Sequence, residues 1–97
     1  MTKFIYDENG FAVGSELGPY IFDMNGNPIG QINGKHIFKM SGEYVGEYYK
    51  KMVVDMDMNP GNVSAQTYSG NVGSSRNPGK RALIICEYPD VFCKLLE

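Results

Sequence analysis

The sequence predicts an all-β fold: an antiparallel meander of repeated 16-residue β-hairpins with one short C-terminal α-helix. The first observation behind this is an internal repeat. Ile5-Tyr6-Asp7-Glu8-Asn9-Gly10 returns as Ile21-Phe22-Asp23-Met24-Asn25-Gly26 and again as Ile37-Phe38-Lys39-Met40-Ser41-Gly42. A fixed period marks one supersecondary unit used several times. The second observation is that turn signals fall about every eight residues, which predicts short antiparallel strands in an up-and-down order. The third is a period-two alternation of side-chain character along the segments between turns, the signature of strands with two distinct faces.

Each hairpin tip carries Asn9-Gly10, Asn25-Gly26 or Ser41-Gly42. Glycine there supplies the positive φ of a tight turn. Asp7 and Asp23, two residues earlier, leave open a type I turn with a glycine bulge in place of a two-residue loop. Leu17-Gly18, Asn33-Gly34 and the weaker Tyr49-Lys50 mark the opposite connections. The copies continue through Val13-Gly14, Ile29-Gly30 and Val45-Gly46, and a fourth begins at Val53-Val54-Asp55-Met56 before losing its turn.

Alternation along the outgoing strands assigns two faces. One carries Phe4/Tyr6, Tyr20/Phe22/Met24, His36/Phe38/Met40 and Met52/Val54/Met56, an aromatic and methionine face that reads as the core. The other places Ile5, Ile21, Ile37 and Val53 between polar residues, with Gly14, Gly30 and Gly46 nearby. This stripe reads as a surface that packs on another sheet or another subunit. Lys3, Lys35 and Lys51 occupy equivalent places on one rim, with Pro19 breaking the set.

Residues 1–97 read as a single domain in three stretches: a hairpin-repeat meander over 1–58, a Gly/Asn/Ser-rich basic loop region over 59–80, and a buried strand plus helix over 81–97. The loop region has room for one short strand at Val63–Tyr68. The apolar run Arg81–Glu87 suits a strand buried on both faces. Pro89 and Asp90 suit a helix start, with Val91/Phe92 and Leu95/Leu96 as its packing face. Two helical turns are marginal alone, so this helix must dock.

A net charge of −2 gives no reason to expect a nucleic acid polymer or an anionic membrane surface. No apolar run approaches a membrane span, and the N-terminus lacks a secretory pattern, so the cytoplasm is the expected compartment. Cys86 and Cys93 match neither a redox pair nor a zinc knuckle and read as reduced structural thiols. No cofactor is expected.

Asp55-Met56-Asp57-Met58-Asn59-Pro60-Gly61 opens like a calcium loop, but proline stands at the sixth place and Gln66 where a bidentate glutamate belongs. No metal site is read here. His36, the only histidine, aligns with Phe4, Tyr20 and Met52, so it reads as a satisfied, partly buried packing residue. No acid, base and nucleophile can be assembled, and an enzyme ranks last. Tyr44, Tyr48, Tyr49 and Tyr68 could stack on a planar ligand.

The best candidate binding site is Arg76-Asn77-Pro78-Gly79-Lys80-Arg81. Guanidinium forks, an ammonium and backbone N–H groups suit phosphate or carboxylate oxygens. Arg76, Asn77, Gly79, Lys80 and Arg81, with Tyr68 as aromatic support, are the predicted ligand contacts. The segment is not a Walker loop, because Arg81 follows Lys80 where serine or threonine is needed.

The repeated Ile-Phe-Asp-x-Asn-Gly hairpins, Asn77-Pro78-Gly79-Lys80-Arg81 and the ending Tyr88-Pro89-Asp90-Val91-Phe92-x-Lys94-Leu95-Leu96 resemble the 4-fold β-flower family of small bacterial proteins. The resemblance implies a β-rich domain, fourfold symmetry and a guanosine polyphosphate ligand, which would fit Arg76, Lys80 and Arg81. The number four can belong to subunits or to hairpins within one chain. Four subunits are preferred, since a ring gathers basic loops around one anion. The expected function is therefore a non-catalytic module that binds an anionic small molecule, such as a nucleotide, in a homo-oligomer. The alternative is a structural or protein-interaction module with no small-molecule ligand.

Overall fold

A computed structural model of the chain describes residues 3–67, 73, 79 and 87–96. Among these residues seven strands form one sheet in chain order: β1 (Lys3–Tyr6), β2 (Ala12–Leu17), β3 (Tyr20–Asp23), β4 (Pro28–Asn33), β5 (His36–Lys39), β6 (Tyr44–Tyr49) and β7 (Met52–Val54). Every neighbouring pair is antiparallel. The protein is all-β, as the repeat predicts.

The first two hairpin tips are type I turns with a glycine bulge, the second of the two forms left open by the sequence. Gly10 N donates to Asp7 O at 3.1 Å and Gly26 N to Asp23 O at 3.0 Å, with φ of +88° and +86° at the two glycines. Asp7 Oδ1 accepts from the backbone of Asn9 and Phe11, and Asp23 Oδ1 from Asn25 and Asn27, all at 2.9 Å. The bulge shifts the register after Ile5, Ile21 and Ile37. The third tip keeps the backbone bonds, but Lys39 stands in the aspartate's place and pairs with Glu43 at 3.0 Å.

β7 opens a fourth hairpin whose return strand comes from far along the chain. Asp55 N donates to Pro89 O and Val91 N to Val53 O, both at 2.9 Å, and Val54 bridges Asp90 antiparallel. Asp90 Oδ2 also accepts from Glu8 N at 3.1 Å, and Tyr6 N donates to Lys51 O at 2.8 Å. These bonds bring β1 to β7 and nearly close the sheet. Four outgoing strands, β1, β3, β5 and β7, therefore lie within one chain.

The isoleucine stripe belongs to the core, beside Phe22, Phe38, Met52 and Val54 of the aromatic face, which corrects its assignment to an intersubunit or sheet-packing surface. Ile5, Ile21, Ile37 and Val53 are fully buried and cluster with Val45, Val91, Phe92 and Leu95. Gly14, Gly30 and Gly46 lie directly across from Ile5, Ile21 and Ile37. A Cβ on these glycines would come within 2.9 Å of the Phe92 ring, 2.8 Å of Leu95 Cδ2 and 2.9 Å of Val91 Cγ2. Three repeat-equivalent glycines thus form three sockets, and the C-terminal segment fills all three.

That segment is a 3₁₀ helix at Phe92–Leu96, where an α-helix was expected. Lys94 N donates to Val91 O at 3.0 Å, and Asp90 Oδ1 accepts from Phe92 N at 2.9 Å, starting the turn. The tighter i→i+3 winding suits a five-residue piece held by tertiary contacts. Leu96, expected on the packing face, is 59% exposed, and Cys93 is a free, exposed thiol, not a packed one. Residues 63–67 form no strand, although Val63 N and Gln66 N donate to Gly42 O and Met40 O. The predicted buried strand at 81–87 and Cys86 lie outside the described residues, apart from exposed Glu87.

Candidate functional site

The opposite face of the sheet carries the aromatic residues, interleaved with a polar row from the return strands. Ser15 lies between Phe4 and Phe22, Gln31 between Tyr20 and Phe38, and Glu47 between His36 and Val54. These are repeat-equivalent positions that grow more polar along the chain: Phe4 with Ser15, Tyr20 with Gln31, His36 with Glu47. Phe22 and Phe38 are buried, so this face is shielded too.

Glu47 is only 3% exposed, and its Oε2 lies 2.6 Å from His36 Nδ1 and 2.8 Å from the Tyr44 hydroxyl, which donates to it. Burial of a carboxylate is costly unless it is bonded, and two partners meet that need here. Burial pushes the Tyr44 phenol above the ordinary tyrosine range, aided by its bond to Glu47 and by the charges of Glu47, Asp55 and Asp57. Tyr44 thus remains a hydrogen-bond donor. Glu47 engages the imidazole of His36 through Nδ1, leaving Nε2 as the second ring nitrogen. The His36 side chain is 37% exposed.

Beside this cluster is a shallow depression of about 270 Å³ lined by Pro19, Tyr20, Gln31, Ile32, Asn33 and Gln66. Asn33 is the strand partner of His36, so cluster and depression adjoin. Gln31 Nε2 donates to Lys39 O at 3.1 Å and Ser64 O at 3.2 Å, which fixes its amide. Gln66 is held by its backbone bond to Met40 O. Gly42 lets this loop approach: a Cβ there would collide with the Val63 carbonyl.

The rim where the strands start is basic. The two-residue connections Gly18-Pro19, Gly34-Lys35 and Lys50-Lys51 lie here, with Lys3 on the adjoining end of β1. Lys50 and Lys51 take φ of +52° and +61°, a region that non-glycine residues enter at a cost.

Of the predicted ligand contacts, Tyr68, Arg76, Asn77, Lys80 and Arg81 lie outside the described residues. Gly79 is exposed with φ of +89°. His36 is partly buried and satisfied, as read from the sequence. Its partner Glu47 went unread, although pairing Phe4 with Ser15 and Tyr20 with Gln31 in successive hairpins would have pointed to it. Asp55 and Asp57 belong to a local turn in which Asp57 N donates to Asp55 Oδ1. Among the described residues, no cluster of three or more metal-ligating side chains occurs, and no helix is long and apolar enough to cross a membrane.

A family model described as 4-fold beta flower protein matches residues 3–85. The chain belongs to the 4-fold beta flower family. No curated protein and no solved structure matches it. The match spans the hairpin repeat and the seven strands described above.

Proposed function

We propose that this β-flower protein is a non-catalytic binding module for an anionic small molecule, with a nucleotide such as guanosine polyphosphate as the first class to test. The observation that carries this reading is the cluster Arg76, Lys80 and Arg81 in a chain of net charge −2. Gly79 within that segment is exposed and takes a left-handed φ of +89°. Exposed Lys35, on the connection between Asn33 and His36, adds a cation beside the depression.

We further propose a symmetric homo-oligomer, a tetramer, that gathers several basic segments around one ligand. The isoleucine stripe is filled by the chain's own C-terminal segment and is not the assembly surface; exposed Leu96 on that segment is a candidate contact.

Isothermal titration with guanosine tetraphosphate tests the binding reading. A few charge-assisted hydrogen bonds give an affinity of about micromolar order. The triple variant Arg76→Ala/Lys80→Ala/Arg81→Ala should lose binding while melting normally; unchanged affinity would eliminate that site. Native mass spectrometry tests assembly, and bare monomers at micromolar concentration would remove the tetramer.

A further inference from the structure

We propose that Asn33 is a self-modifying site: the backbone nitrogen of Gly34 attacks its side-chain amide and converts it to a carboxylate, in the folded chain and ahead of every other Asn-Gly pair. The reaction is hydrolytic deamidation, with water as the only co-reactant.

The chain holds three Asn-Gly pairs, Asn9-Gly10, Asn25-Gly26 and Asn33-Gly34. Asparagine before glycine is the pairing most open to this chemistry, because glycine has no Cβ to shield its nitrogen. In the first step Gly34 N forms a bond to Asn33 Cγ, and the Cγ–Nδ2 bond breaks. The proton of Gly34 N leaves with Nδ2 as ammonia, and a cyclic imide remains. Water then opens the imide at either carbonyl, giving aspartate or its β-linked isomer. No electrons are transferred.

Local structure decides which pair reacts. Gly10 and Gly26 are buried, and their N–H groups donate to Asp7 O at 3.1 Å and Asp23 O at 3.0 Å. Asp7 Oδ1 also holds Asn9 N and Phe11 N, and Asp23 Oδ1 holds Asn25 N and Asn27 N, all at 2.9 Å. Attack at either place needs the whole tip to open.

Asn33-Gly34 stands at the other kind of connection. Both residues are exposed, and a Cβ built on Gly34 would meet nothing within 4 Å. Among the described residues, nothing accepts from Gly34 N and nothing bonds the Asn33 side-chain amide. Gly34, with φ of +65°, is the first residue of a two-residue connection closed by the pair Asn33 and His36. Only this last pair of the ladder must loosen for Gly34 N to reach Cγ. The nucleophile is free and the leaving group is in solvent.

The product sets a carboxylate next to exposed Lys35 and offsets its charge. The β-linked isomer also lengthens the backbone at a corner where loop length fixes register. Any effect on a bound anion rests on the binding reading above; the modification itself does not.

The experiment is incubation of the folded full chain in mildly alkaline buffer, with peptide mapping by mass spectrometry at intervals and a parallel incubation in urea. In urea the three asparagines should react at similar rates, which isolates the contribution of the fold. In the folded chain Asn33 should react at least about tenfold faster than Asn9 or Asn25, whose glycines are released only by local opening. Asn33→Gln should remove the fast phase of ammonia release. Asp23→Ala takes away the carboxylate bonds of the second tip, so it should speed Asn25 several-fold and leave Asn33 unchanged.

Equal rates at the three positions of the folded chain, or Asn9 or Asn25 reacting first, would overturn the assignment. So would an Asn25 rate that Asp23→Ala does not move, since tip bonds would then not be what protects it.

Discussion

The two faces of this sheet are built from the same repeat and differ in how far they obey it. On the inner face the first three hairpins share their central parts, Ile5, Ile21 and Ile37, each opposite Gly14, Gly30 or Gly46, while Glu16, Ile32 and Tyr48 toward the rim differ. On the outer face the equivalent positions diverge from Phe4 and Ser15 to His36 and Glu47. Strict repetition marks the surface that must fit one fixed object, the chain's own Val91, Phe92 and Leu95. Divergence marks the surface released from that duty. A repeat that holds its central inner-face positions fixed can diverge on the other face without disturbing those contacts.

The largest effect should come from emptying a socket. Phe92→Ala should cost about 3–5 kcal/mol, as for other buried aromatics, measured by urea unfolding. A cost below about 1 kcal/mol would show that the C-terminal segment is not part of the core.

Filling the sockets should rank next, and the three glycines should not be equivalent. A Cβ at Gly46 would lie 2.5 Å from Val54 O, and one at Gly14 2.6 Å from Phe22 O, both backbone atoms that cannot yield. At Gly30 the nearest atom is the flexible end of Leu95, and the closest carbonyl is 3.0 Å away. Gly46→Ala and Gly14→Ala should each cost about 1–3 kcal/mol and Gly30→Ala distinctly less. Equal costs would mean that side chains set the fit and the backbone does not.

On the outer face, Glu47→Ala should cost about 1–3 kcal/mol, because the Tyr44 hydroxyl and His36 Nδ1 lose their partner. Tyr44→Phe in the same background should add little, since the bond it would remove is already gone; full additivity in thermal melts would show that the two do not interact.

The hairpins, their tips and the split into two faces were legible because they rest on local turn chemistry and period-two alternation. That the isoleucine face is buried within the chain was not, since the partner of Ile5 and its equivalents lies at Val91–Leu95, far along the chain. Aromatic bulk pointed to a face that is buried at Phe22, Phe38, Met52 and Val54, but the isoleucine face is buried as well. The glycines held the missing signal: three at one repeat position, away from any turn, mean close approach by another element. The failed fourth hairpin was visible as a lost turn, but no local rule names 89–91 as the replacement strand. Glu47 was hidden for a different reason, since it lies eleven residues from His36 and is brought to it only by hairpin register.

The smallest effect tests whether obedience to the repeat carries stability at the tips as well as in the core. The third tip lacks the aspartate that, in the first two, accepts two backbone N–H groups. In its place Lys39 pairs with Glu43, whose side chain is 60% exposed, a contact of at most about 1 kcal/mol. Lys39→Asp alone would set two carboxylates side by side. The double change Lys39→Asp/Glu43→Asn instead copies the second tip, where Asn27 N and Nδ2 both donate to Asp23. Gln31 bonds the carbonyl of Lys39, which a side-chain change leaves in place. The double variant should gain about 0.5–1 kcal/mol and raise the melting temperature by a few degrees. A loss would mean that the third tip departs from the repeat because its loop neighbours at 62–66 require it, which would tie this tip to the outer face and its depression.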